Sequence, residues 1–290
     1  MEGKNILEKL GKKSISATDI ASQFWCEKQM ELNYLYGKRY TKEMAKGAEI
    51  HAELQAETYI PLAITPINYT DFLYKEFYEN YLSLKGLKEK GVGREIRIYG
   101  SINGFKIIGK IDELRLEKGS VVVIENKTRE TRYAINEAVV RPHKIQIMLY
   151  KRMLDDIIAK RYTHENFENT YLKGLKPLSD RFAEELKALG IARELQSIEG
   201  IYKKMFDEIY TMPKVSDELE LVYIDRFTGE RVETIRFKYN EEELNKLLIE
   251  AMRYWNGEVK ARPVAEDEKW KCKFCRFYGK ECRVWYNETL

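Results

Sequence analysis

Along the chain, hydrophobic positions alternate between two periods. Ile20, Phe24 and Met30 recur at helical spacing behind Ser16 or Thr18, either of which could cap a helix. Helical patterning returns from Lys42 through His51 to about Tyr59, and again from Asp71 to Leu87. Period two then takes over: Glu95-Ile96-Arg97-Ile98-Tyr99 alternates, Asn103-Gly104 turns, and Phe105 to Ile111 resumes as strand. Ser120 to Lys127 (SVVVIENK) is an apolar run ending in charge, as a central strand requires. His143 to Lys160 reads as helix, and residues 180–210 read as further amphipathic helix. Glu218–Asp225 and Glu233–Lys238 form a hairpin about Phe227-Thr228-Gly229-Glu230, before a helix over 240–256 and a short cysteine-rich tail. Helix, three strands and helix at the centre make an α/β arrangement, and the lack of repeats or linkers predicts one continuous domain.

Composition narrows the function classes. The 290 residues are 44% hydrophobic and 12% aromatic with only 6 prolines, which fits a globular chain and excludes a disordered one. No run reaches the roughly 18 apolar residues of a spanning helix. The opening MEGKNILEKLGKKS has no apolar h-region, so the expected location is cytoplasmic, or nuclear or mitochondrial in a eukaryote. With 50 Lys+Arg against 47 Asp+Glu, the net charge of +3 permits a polyanionic partner without requiring one.

Candidate chemistry centres on Asp112 and, thirteen residues on, Glu125-Asn126-Lys127. Strand residues two apart share a face, so Glu125 and Lys127 project together, with Asp112 expected at the end of the preceding strand beside them. Two carboxylates and an ammonium at a strand edge are the working parts of a Mg²⁺-dependent phosphodiester hydrolase: the acids hold a hard cation and the lysine orients the nucleophile. Charges directly after Val121-Val122-Val123-Ile124 are costly unless paired or bound to metal. Gln146 and Tyr150, four apart, share a helix face and could support the site, and His51 could add a nitrogen ligand. His143 and His164 carry no such signal.

The 4 cysteines are distributed unevenly. Cys272, Cys275 and Cys282 form C-x2-C-x6-C near the C-terminus, and Cys26 stands alone near the other end. Three clustered thiols with a remote fourth indicate a metal site tying the two ends together, zinc or iron–sulfur being equally served by thiolates. From Lys127 to Arg161 there are nine Lys/Arg against four acidic residues, with Arg129, Arg132 and Tyr133 interleaved just past the lysine, a pattern suited to single-stranded nucleic acid. The absence of G-x-x-x-x-G-K-[ST] removes ATP-driven unwinding.

The sequence resembles the exonuclease V (defects-in-morphology) family, iron–sulfur nucleases of the RecB-type PD-(D/E)XK superfamily. The resemblance rests on Ser16-Ala17-Thr18-Asp19-Ile20, Trp25-Cys26-Glu27, Lys46-Gly47 with His51, and Glu95…Tyr99-Gly100. It continues through Gly109-Lys110-Ile111-Asp112-Glu113-Leu114, Glu125-Asn126-Lys127-Thr128-Arg129, Gln146…Leu149-Tyr150-Lys151, Tyr254-Trp255, and Trp270 to Cys275 with Cys282. It implies a restriction-endonuclease-like core, a mixed central sheet flanked by helices over about 40–165, a helical insertion over about 166–215, and a hairpin, helix and iron–sulfur segment over 216–290 closed by Cys26. It further implies a [4Fe–4S] cluster on Cys26, Cys272, Cys275 and Cys282. Mg²⁺ or Mn²⁺ would be held by Asp112, Glu125, His51 and the carbonyl of Asn126, with Lys127 catalytic and Gln146 and Tyr150 in support. The implied activity is a single-stranded DNA exonuclease of DNA repair, working as a monomer, with a single-strand-binding protein as a possible partner. The alternatives are a CRISPR-associated RecB-type nuclease, which is typically shorter than this chain, and a non-catalytic iron–sulfur DNA-binding module.

Overall fold

The computed structural model describes residues 5–130 and 135–285. Helix α1 (Ile6–Lys9) leads into a two-residue strand β1 (Ile15–Ser16) and helix α2 (Ala17–Leu35). Of the two candidate caps the structure uses Ser16: its hydroxyl accepts from the Asp19 N–H, and the Asp19 carboxylate accepts from the Ser16 N–H. Helices α3 (Lys42–Ala56) and α4 (Tyr69–Lys90) follow, then strands β2 (Val92–Ile102), β3 (Phe105–Glu117) and β4 (Ser120–Arg129). Next come α5 (Glu137–Ile158), α6 (His164–Phe167), a π-helical turn (Glu168–Leu172), α7 (Asp180–Ala188) and α8 (Ile198–Tyr210). The chain closes with strands β5 (Glu218–Asp225) and β6 (Arg231–Lys238), helix α9 (Glu241–Trp255) and a 3-10 segment (Glu266–Phe274).

Among the described residues six strands join one mixed sheet, in the order β1-β3-β4-β5-β6 with β2 on the other edge of β3. Strand β3 is shared in two halves. Its first half takes β1 in parallel at Ile107 and Ile108, and its second half takes β4 antiparallel from Glu113 to Glu117. Beyond the Glu113↔Ile124 pair, β4 leaves β3 and runs parallel to β5, from Ile124↔Glu220 to Arg129↔Asp225. The sheet therefore forks just at Asp112 and Glu125.

Alternation along β4 decides what each face meets. Val121 and Val123 enter the large core with Ile145 and Leu149 of α5, while Val122 and Ile124 pack with Val222, Ile224 and Ile50 of α3. Glu125 and Lys127 continue the α5 side. Helices α2 and α9 are locked by buried polar contacts: Trp255 Nε1 donates to Gln23 Oε1 at 2.9 Å, and Gln23 Nε2 donates to the Ala251 carbonyl at 3.1 Å.

Three sequence expectations need correction, and one element was missed. Strand β3 runs five residues past Asp112, which lies inside it rather than at its end. The charges that disguise the extension are paired across the sheet: Arg94 on Glu113 at 2.6 Å, and Arg115 on Glu220 at 2.7 Å. Helix α5 starts at Glu137, capped by Asn136, and runs through Pro142 at the expense of one backbone bond. Residues 180–210 form two helices, separated where Gly190 takes φ 70°. Strand β1 was not foreseen, because two residues carry no readable period.

Candidate active site

At the fork, polar groups converge from four elements. Asp112 of β3 is 8% exposed and Glu125 of β4 is 1% exposed. The Asn126 N–H, freed from ladder pairing with β3, donates to Asp112 Oδ2 at 2.8 Å. Lys127 Nζ bonds to Glu125 Oε1, and Gln146 Nε2 donates to the same oxygen at 2.7 Å. One helical turn on, the Tyr150 hydroxyl accepts from Gln146 Nε2, also at 2.7 Å. Asp112, Glu125, Lys127, Gln146 and Tyr150 line one open cleft, together with Ser16, Thr18 and Gly109.

Helix α3 delivers His51 from the opposite face. Its neighbour Ile50 is fixed among Val122, Ile124, Val222 and Ile224, so the helix cannot roll freely. His51 Nε2 lies 3.2 Å from the Asn126 carbonyl, and Nδ1 lies 2.9 Å from Glu95 Oε1 and 3.7 Å from Asp112 Oδ1. His51, Glu95 and Asp112 offer ligand atoms within 4.8 Å of one another. The sequence reading gave Glu95 no part in this set; the signal it missed was a glutamate opening an otherwise alternating strand.

Electrostatics mark the place as under-neutralised. Burial raises the Asp112 pKa, and the Glu125 carboxylate raises it further. Burial alone would lower Lys127, but Glu125 and Asp112 outweigh it and keep the ammonium charged. For His51 too, burial works downward, and the Glu95 hydrogen bond with the Asp112 charge carries the pKa up. Two buried carboxylates beside one lysine leave room for another cation. Among the described residues the buried Glu125 Oε2 has no hydrogen-bond partner, and a hard cation would satisfy it. The donor set of carboxylates, one carbonyl and one imidazole fits Mg²⁺ or Mn²⁺.

The four cysteines meet elsewhere. Helix α2 is interrupted at Cys26, where the backbone is extended (φ −167°, ψ 108°). Cys26, Cys272, Cys275 and Cys282 line one cavity walled by Trp25, Leu32, Val264 and Trp285. Burial pushes the Cys26 thiol up to about 11, with Cys275 and Cys282 adding to it. Four thiols lining one apolar cavity fit a soft metal centre, whose positive charge would reverse that penalty.

Of the proposed DNA contacts, Arg129 lies over the Tyr223 ring at 5.6 Å, while Arg132 and Tyr133 fall outside the described residues. Half-buried His143 lies 3.3 Å from the Tyr223 hydroxyl, and loss of hydration, aided by the Lys127 charge, lowers its pKa to about 3. His164 sits apart, against Tyr210. Among the described residues no helix is long and apolar enough to cross a membrane.

Fold and site together define a mixed α/β protein with an acidic, lysine-bearing cleft at a split in its sheet. The pattern of the exonuclease V family, described as a 5′ deoxyribonuclease, matches residues 6–121, 117–199 and 188–286. Exonuclease V of Danio rerio is 25% identical over 288 residues, covering 93% of this chain and 70% of the relative. The chain belongs to the exonuclease V family, and with it to the DNA exonucleases. Among solved structures, SSO0001 shares 14% identity at a TM-score of 0.38, with 94% of this chain and 91% of that one covered. An exonuclease candidate from Eubacterium rectale shares 12% at 0.42, with 98% and 96% covered. Those two likenesses are too distant to carry anything further.

Proposed function

We propose that this chain is a metal-dependent exonuclease for single-stranded DNA, acting as one nuclease unit. The observation that carries the reading is the fork itself, where Asp112 and Glu125 are buried together with Lys127 on one Glu125 oxygen and, among the described residues, no hydrogen-bond partner on the other. Asp112, Glu125, the Asn126 carbonyl and His51 Nε2 would hold Mg²⁺ or Mn²⁺, which supplies a Lewis acid and an acidified water. Lys127 holds its ammonium where charge develops on the phosphate and orients the attacking water. Gln146 pins Glu125 Oε1, so that Oε2 would be the oxygen to hold the cation, and Tyr150 keeps the Gln146 amide in place.

A single-stranded substrate is supported by the groove beside this cleft. It follows α2 past Trp25, Asn33 and Tyr34 to Lys38, and its inner end is lined by Lys127, His143 and Gln146. Exposed Tyr36 and Tyr40 flank Lys38 and Arg39 at the outer end. Aromatic faces for bases and cations for phosphates are how single strands are held without sequence readout. Arg129, Arg132 and Tyr133 would add contacts past the catalytic lysine. The four cysteines would carry a [4Fe–4S] cluster with a structural role, joining α2, which lines this groove, to the C-terminal segment.

The test is degradation of end-labelled single- and double-stranded DNA by anaerobically purified protein with Mg²⁺ or EDTA. The reading expects Mg²⁺-dependent loss of the single strand with the duplex spared. Cleavage that survives EDTA, or a preference for blunt duplex, would sink it.

A further inference from the structure

Glu95 stands half-buried at the site without a role in the account so far. It lies in β2 with φ 56°, a left-handed backbone that side-chain-bearing residues rarely adopt inside a strand. The ladder between β2 and β3 pairs Arg94 with Glu113 and then Ile96 with Ile111, omitting Glu95 and Asp112. The inward face of β3 changes at that break: Ile107 and Ile111 are core residues before it, and Leu114 after it. Unbroken alternation would send Asp112 away from α5. The alternation breaks there with the register unchanged, and Asp112 instead lines the same cleft as Glu125.

The side chain of Glu95 completes the arrangement. It is 8% exposed, with Oε1 2.9 Å from His51 Nδ1 and Oε2 paired with Lys110 Nζ. Both carboxylate oxygens are occupied, so Glu95 is poorly placed to ligate. His51 Nε2 is left facing the Asn126 carbonyl at 3.2 Å. A carboxylate on the far nitrogen of a ligating imidazole fixes its tautomer and strengthens it as a ligand.

We propose that Glu95 is a positioning residue: its carboxylate holds His51 by Nδ1 so that Nε2 faces the cation seat, and its left-handed backbone turns Asp112 into that seat. This rests on the metal reading above. The experiment is a Mn²⁺ titration of the full-length protein followed by electron paramagnetic resonance, with Tm recorded for each variant. Glu95→Ala should weaken Mn²⁺ binding by about 10–100-fold. Glu95→Gln, which keeps an acceptor for Nδ1–H, should lose much less. Added to His51→Ala, Glu95→Ala should cost no more than about twofold, because the residue acts through the imidazole. An additive loss would make Glu95 a ligand, and an unchanged affinity in Glu95→Ala would give it no role; either overturns the proposal.

Glu95→Gly should bind Mn²⁺ as weakly as Glu95→Ala yet melt about 2–4 °C higher, because glycine takes positive φ without strain. Equal melting of the two would overturn the backbone half. Wild-type protein that binds no Mn²⁺, or binding indifferent to Glu125→Ala, would bring down the metal reading along with this one. Binding that needs Glu125 but ignores Glu95 would overturn this proposal alone.

Discussion

Gly109→Ala tests whether the cleft is held by packing. A Cβ at Gly109 would lie 2.8 Å from Tyr150 Cε1, 2.9 Å from Ile98 Cγ1 and 3.0 Å from Tyr150 Cδ1. Carbon atoms rest at about 3.5–4.0 Å, so the ring must withdraw by at least about 0.7 Å. Tyr150 is 2% exposed and packed in the main core. Its hydroxyl is 2.7 Å from Gln146 Nε2, itself 2.7 Å from Glu125 Oε1, so the shift must stretch one bond past the useful limit near 3.2 Å. Overpacking of this kind costs about 1–3 kcal/mol, and Tm falls by about 2–4 °C for each. Loss of the Gln146 contact should lower kcat/KM on a single-stranded oligonucleotide by about 10–100-fold. Tyr150→Leu vacates the contested space, so adding Gly109→Ala to it should cost little more. Full turnover in Gly109→Ala, or losses that simply multiply in the double variant, would refute the reasoning.

Three further predictions concern the frame around the site. Glu113→Ala leaves the buried Arg94 guanidinium, which Glu113 holds at 2.6 Å, with only the exposed Glu57 at 3.4 Å, and should cost about 3 kcal/mol in urea unfolding; a loss below about 1 kcal/mol would show the network to be ornamental. Asp71 accepts from the N–H groups of Ile67 and Asn68 and from the N–H and hydroxyl of Ser179. Burial would raise its carboxyl, but those bonds hold it below the ordinary range. Its contribution is therefore complete above about pH 3.9 and disappears as pH falls through the lower folded value, so Asp71→Asn should flatten the acid loss of Tm between pH 5 and 2. Parallel acid profiles for the two proteins would contradict that. Cys275→Ser should lower both iron content and Tm, since the thiol cavity joins α2 to the C-terminal segment; an unchanged Tm at full iron content would remove the structural role.

What could be read from sequence was what obeys local rules. The apolar run ending in Glu125 and Lys127, the i,i+4 pair Gln146 and Tyr150, and the spaced cysteines all announce themselves within a few residues. Asp112 was found but misplaced, because Glu113, Arg115 and Glu117 look like the end of a strand. Only cross-strand partners, above all Arg94 and Glu220, make those charges tolerable there. Glu95 was invisible as a site residue for two reasons. Its partner His51 is 44 residues away, and the left-handed backbone that breaks the alternation follows no residue preference. The start of α5 was cut short at Pro142 because proline is a reliable stop in sequence, whereas packing of Val140 and Ile145 into the core carries the helix across it.

The most direct test of the central claim separates binding from cleavage in Glu125→Ala. Single-strand affinity would be measured in EDTA by fluorescence anisotropy, and turnover in Mg²⁺ on the same oligonucleotide. A buried ligand that touches the cation rather than the strand predicts near-native affinity with turnover reduced on the order of 10²–10³-fold or more. Near-native turnover from folded Glu125→Ala protein would place the chemistry elsewhere and contradict the account.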